Sequence, residues 1–191
     1  MALLSSDVNA GDDILATHHN TLIDDIEQHT HDGTDTAKID FTANPETRRL
    51  NISPADLRAG VSGTGNWIIC DVYAGSSDAN IITLYMGITL PQGAIVTKLS
   101  IRWYRDDAAA GGLCDLRRIA LSDGSSVDMA VADSNSSAGF HTVEDTTITS
   151  ATIDNVNYTY ALAVTADPND NANDVKFYGG YIEYTITEPL P

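Results

Sequence analysis

The stretch IVTKLSIRWY, residues 95–104, carries the pattern that decides the fold. Ile95, Leu99, Ile101 and Trp103 are expected on one face and Lys98, Ser100 and Arg102 on the other, because successive side chains of a strand point to opposite sides. The same period of two returns in YTYALAV, residues 158–164, where Tyr158, Tyr160, Leu162 and Val164 alternate with Thr159, Ala161 and Ala163. Tyr178, Ile182, Tyr184 and Ile186 continue it near the C-terminus. From about Asn66 onward, seven or eight such runs are separated by Gly, Asp, Asn and Ser, which predicts an antiparallel β-sandwich or jelly roll. The loops between them, DDAAAGG, SDGSS, DSNSSAG and DPNDNAND, are small, acidic and suited to solvent.

Upstream the texture changes. Residues 12–29 have helical spacing, with Leu15, Leu22 and His29 seven apart, His19 and Ile26 between them, and acids in the first turn where the helix dipole favours them. Two heptads fit a short parallel coiled-coil seam and equally a one-face helix docked on its own domain. Asp32-Gly33 ends the helix, and residues 41–62, with two prolines and three arginines, are expected to form a linker or clasp. The expected organisation is therefore an N-terminal helical anchor or trimerisation segment over 1–40, a linker over 41–62 and a β-sandwich head over 63–191. The fold class is mainly β: a short N-terminal α-helix followed by a jelly-roll-like antiparallel sandwich. Trp67, Trp103 and the tyrosines are expected mostly in the core rather than on a sugar-stacking platform.

Charge narrows the partners. The chain has 191 residues, enough for one substantial core, and its 27 acidic against 10 basic residues give a net charge of -17. Such a field repels phosphate backbones and argues against nucleic acid as a partner. An Asp-rich, Lys-poor surface suits a halophilic or marine protein and equally an ordinary acidic secreted or particle-borne one. No apolar run is long enough to cross a membrane as a helix, and the N-terminus MALLSSDVNAGDD lacks the basic and apolar regions of an export signal. Cys70 and Cys114, both in apolar strand-like contexts, are expected to be free buried thiols.

Motifs for chemistry are sparse. The chain has no phosphate-binding Gly-Lys-Ser/Thr, GxGxxG, HExxH, GxSxG or CxxC pattern, and His141 has no nucleophile beside it in sequence, so an enzyme is not expected. Asp167, Asp170 and Asp174 offer oxygen ligands for a weak calcium site but lack the EF-hand spacing. The cluster HTHDGTD, residues 29–35, is the one concentration of metal-ligating residues. In an extended chain His29 and His31 project to the same side, yet two imidazoles are too few for a tight site. Three parallel chains would gather three copies of each around a shared axis, enough nitrogens for an octahedral transition-metal ion, with Asp32 orienting a ring. Alternatively, the histidines are polar helix-end residues facing the C-terminal dipole.

The segment ATHHNTLIDDIEQHTHDGTDTAKIDF resembles a module of tailed-phage and archaeal-virus virion appendage proteins. Its short hNxLxxDI-type helix, its H-x-H-D-G-T-D run and its Lys-Ile-Asp tail carry the likeness over about residues 7–41. LPQGAIVTKLSIRWYRDDAAAGGLCDLRRI, ATIDNVNYTYALAV and FYGGYIEYTI are similar to the sandwich heads of such appendages and of some secreted adhesive modules. The resemblance implies a homotrimeric structural protein of the virion, of decoration, head-fibre or tail-appendage type. It further implies metal binding at the trimer axis by His29 and His31, other virion proteins of the capsid, neck or tail as partners, and a head that stabilises the particle or touches a host-surface glycan. The alternative is a secreted carbohydrate-binding or adhesin module.

Overall fold

The computed structural model describes residues 45–60, 66–134, 138–169 and 174–186. The chain divides into two units between Asp40 and Phe41, and every described residue belongs to the second. The helix expected over 12–29 lies outside the described residues.

Alternating runs become strands in the described region: β1 (Glu46–Ile52), β2 (Arg58–Ala59), β3 (Trp67–Ile69), β4 (Ala74–Ser76), β5 (Ile82–Ile88) and β6 (Ile95–Arg105). They continue as β7 (Gly111–Ala120), β8 (Ser126–Asp133), β9 (Gly139–Asp145), β10 (Tyr158–Asp167) and β11 (Val175–Ile186). One sheet has the order β3-β4-β11-β6-β9, with β1 also paired to β11; the other has the order β2-β5-β10-β7-β8. All pairings are antiparallel. Within these, β4-β11-β6-β9 and β5-β10-β7-β8 have the strand order of an eight-stranded jelly roll, with β1, β2 and β3 added at its edges.

The inward positions of both sheets supply one core. Trp103 of β6 meets Phe177 of β11 edge-to-face, with ring centroids 5.4 Å apart. Around them Leu84, Leu99, Ile101, Leu116, Leu162, Val164 and Ile182 are buried. Removing such a side chain from water stabilises the fold by about 1.5–3 kcal/mol. Ile153, in the loop before β10, is also fully buried and exchanges backbone hydrogen bonds with Gly93 and Ala94.

Two register shifts correct the simple alternation. Opposite β11, Lys98 pairs with Glu183 but Val96 pairs with Tyr184, so Thr97 is an extra residue and the inward position passes from Ile95 to Val96. Val96 is accordingly buried and Ile95 only half-buried. In β11, Phe177 pairs with Trp103 and Gly180 with Ile101, so the pair Tyr178-Gly179 interrupts the ladder. Phe177 and Ile182 face the core, whereas Tyr178, expected with Ile182, packs with the rings of Tyr73 and Phe140. Gly179 holds the bulge at a φ of +97°, where a side chain would be strained and its Cβ would lie 2.5 Å from the Ile52 carbonyl oxygen.

Part of the expected linker also belongs to the sandwich. Residues 46–52 pair along β11 from Glu46 opposite Ile186 to Ile52 opposite Gly180, and Arg58 and Ala59 pair with β5. Leu50 and Ile52 pack at the core while Thr47, Arg49 and Asn51 are exposed, a short alternation that the arginines and prolines obscure. Because Glu46 stands beside Ile186, the first and last described strand ends leave the domain at the same pole.

Candidate functional site

The side chains directed away from the core on the six-stranded sheet differ sharply from its inner face. Tyr104 of β6 stands opposite Phe140 of β9 on one side and Lys176 of β11 on the other, placing all three on one surface. The rings of Tyr104 and Phe140 are 4.9 Å apart, those of Phe140 and Tyr178 5.1 Å, and those of Tyr178 and Tyr73 5.9 Å. Phe140 is 52% exposed, so its ring is open to solvent on this face. The glycine bulge in β11 explains the presence of Tyr178 here.

Two cations frame these rings. Lys176 Nζ lies 5.3 Å from the centroids of both Tyr73 and Tyr104. The Arg102 guanidinium lies 5.1 Å from the centre of Phe140 and donates to Thr142 Oγ1 at 2.9 Å. Cation–π contact and this hydrogen bond hold the charges over the rings. At the end of β6 the Tyr104 hydroxyl donates to Asp106 Oδ1 at 3.1 Å, a bond that raises the hydroxyl's pKa above its ordinary value.

Farther along the same surface, polar groups satisfy one another. Glu144 accepts from Ser100 Oγ at 3.1 Å and from the Tyr181 hydroxyl at 3.4 Å, and pairs with Lys98 Nζ at 3.3 Å. The Ser100 hydrogen bond first, and Lys98 with it, hold the Glu144 carboxyl below the usual range. It is therefore a fixed anionic acceptor, the opposite of a carboxyl tuned to release or take a proton near neutrality. Arg49 lies 4.3 Å from the Tyr181 ring centre and donates from Nε to Glu183 at 3.0 Å.

His29, His31 and Asp32 lie outside the described residues, and so does Asp170. Of the other two members of the expected calcium loop, Asp167 ends β10, and Asp174 is buried before β11, its carbonyl accepting from Asp106 N. Among the described residues no group of three His, Cys, Asp or Glu side chains is placed to hold a metal ion. Cys70 and Cys114 are free thiols; Cys114 is buried, and burial pushes its pKa well up, whereas Cys70 is only half-buried and its Sγ contacts the Tyr73 carbonyl at 3.2 Å. His141 stands on β9 opposite Trp103, and its Nε2 has no hydrogen-bond partner among the described residues.

Trp103 is fully buried as expected, but Trp67 is 47% exposed, and Tyr73, Tyr104 and Tyr178 share the outer surface with Phe140. The place of Tyr104 could have been found by extending the alternation of Arg102 one step past Trp103. Tyr178 could not, because the glycine bulge reverses its side.

No protein-family model and no curated protein matches the chain. Among solved structures, it is similar to TmCBM61 in complex with β-1,4-galactotriose, with 11% identity, a TM-score of 0.37 and coverage of 79% of this chain and 97% of that one. It is also similar to a family 11 carbohydrate-binding module from Clostridium thermocellum in complex with a β-1,3-1,4-mixed-linked tetrasaccharide, with 12% identity, a TM-score of 0.35 and coverage of 74% and 83%. The family 11 module of the cellulosomal cellulase Lic26A-Cel5E gives 13% identity and a TM-score of 0.31, with coverage of 76% and 84%. These likenesses are distant.

Proposed function

We propose that the sandwich is a non-catalytic carbohydrate-binding head and that the outer face of its six-stranded sheet is the binding surface. The observation that carries this reading is the outer run of Tyr104, Phe140, Tyr178 and Tyr73 rings, Phe140 exposed and the three tyrosines half-buried, beside Arg102 and Lys176. A pyranose presents an apolar C–H face that packs on aromatic rings, and a rim of hydroxyls that needs donors and acceptors nearby; this surface offers both. Adjacent rings are tilted by 56° and 64° to each other, so they form a ruffled surface suited to a single soluble chain or chain end rather than a flat crystalline polymer.

The deployment we propose is on a virion appendage of a tailed virus, with the head carried by an N-terminal trimerising segment. Its support is the likeness of the segment containing HTHDGTD to appendage modules, together with the pairing of Glu46 with Ile186, which puts the first and last described strand ends at one pole. Three weak heads on one stem gain effective concentration without new contacts.

A glycan array probed with the full chain and with Phe140→Ala tests the binding reading. Phe140 is half exposed, so its truncation should leave the melting temperature nearly unchanged while weakening glycan binding about tenfold, a loss of roughly 1.4 kcal/mol. Absence of any glycan signal from the unmodified chain, or equal signals from the two proteins, removes this face as a sugar site.

A further inference from the structure

In a chain with 27 acids and 10 bases, cations should find carboxylates easily, and several do. Arg48 pairs with Glu46, Arg49 with Glu183, Lys98 with Glu144, and Arg117 with both Asp115 and Asp128. Arg105 is buried and donates to the carbonyl oxygens of Ser134 and Ala108. Arg58, Arg102, Arg118 and Lys176 make no ion pair within 4.0 Å among the described residues; of these, Arg102 and Lys176 lie over this aromatic surface, whereas Arg118 lies over Tyr158 on the other sheet. Two acids near these cations are already engaged. Asp106 accepts from the Tyr104 hydroxyl, and Glu144 is held by Ser100, Tyr181 and Lys98.

We propose that the ligand of this face is an anionic glycan, with Arg102 and Lys176 taking its carboxylate or sulfate groups while the rings take the C–H faces of the sugars. The proposal rests on the carbohydrate-binding reading above and adds the charge class. A guanidinium offers paired donors to a planar carboxylate, and an ammonium offers a point charge, so the two suit an acidic polymer whose groups recur along the chain. The overall charge of -17 opposes the approach of a polyanion, but at physiological ionic strength that repulsion is screened beyond about 8 Å. The adjacent cations act within this distance.

Two matched pairs of polymers test the proposal on the full chain: polygalacturonate against its carboxyl-reduced form, and dextran sulfate against dextran. Affinity electrophoresis or calorimetry should show at least one acidic member binding about tenfold more tightly than its neutral twin, with affinity falling as NaCl is raised. The preferred pair identifies carboxylate or sulfate as the anion. Arg102→Gln with Lys176→Gln should abolish the preference, as should Lys176→Gln alone in large part, which covers loss of the Arg102–Thr142 bond. If both neutral polymers bind as tightly as their acidic twins, or if array glycans bind but all are neutral, the anionic proposal is wrong and the sugar-binding reading stands. If neither polymers nor array glycans bind, both readings fail.

Discussion

Asp115 shows how a single side chain can set a pH response. It lies on β7 only 3% exposed, with Oδ2 accepting from Arg117 at 2.7 Å and Oδ1 lacking a hydrogen-bond partner among the described residues. Burial raises its pKa more than the Arg117 charge lowers it, so the folded protein keeps this proton to a higher pH than the unfolded chain does. The ionised form therefore opposes folding. The penalty is absent below the unfolded pKa, grows as pH rises through the folded value, and is constant above it. Asp115→Asn removes the titration, so the stability of the natural protein relative to the variant should rise as pH is lowered from 7 toward about 4 in urea denaturation. A pH-independent difference would contradict this account.

The same scale marks what sequence could reveal. Trp103 was legible as core because Leu99 and Ile101 lead into it on one face. Phe140 was not, because its strand alternates Phe140, Thr142 and Glu144 with His141, Val143 and Asp145, and neither set is plainly apolar. Which set faces the other sheet depends on pairing with Tyr104 and Trp103, a contact distant in sequence.

Among the elements, β11 most tightly couples fold to site. Its bulge turns Phe177 inward and Tyr178 outward, and it requires glycine twice. A Cβ on Gly180 would lie 2.1 Å from the Ser100 carbonyl oxygen and 2.9 Å from Ile101 Cδ1, so either the bulge or β6 would have to move. Gly180→Ala should cost about 1–3 kcal/mol by urea denaturation and weaken glycan binding as Tyr178 is displaced. A stability change below about 0.5 kcal/mol would show that the bulge tolerates the extra methyl. The sequence displays Tyr178-Gly179-Gly180 openly, yet a glycine pair in an alternating run signals irregularity without saying which neighbour changes sides. Likewise, the seven-residue strand β1 was hidden because only Leu50 and Ile52 reach the core from a segment dominated by charge and proline.

For the whole molecule, alternating apolar runs sufficed for a two-sheet sandwich, since each half-buried sheet needs a facing layer. The trimeric assembly we propose rests on HTHDGTD, whose candidate ligands are legible in the sequence although the way copies of the chain would meet is not. If His29 and His31 bind a shared metal, the natural chain should sediment as a trimer that dissociates in EDTA. His29→Ala with His31→Ala should sediment as a monomer with the same β-type circular dichroism. Identical sedimentation of natural and double-variant chains would remove metal-assisted assembly.

The shared exit of β1 and β11 bears on how such a head would carry load. Lys176 and the ring surface lie toward the start of β11, while Glu46 and Ile186 mark the opposite end, a span of roughly 30 Å at about 3.3 Å per residue. With ligand gripped at one extremity and the stem pulling on Glu46 at the other, tension runs parallel to the strands. The seven residue pairs joining β1 to β11 would then resist sliding together, instead of being peeled apart singly like a zip.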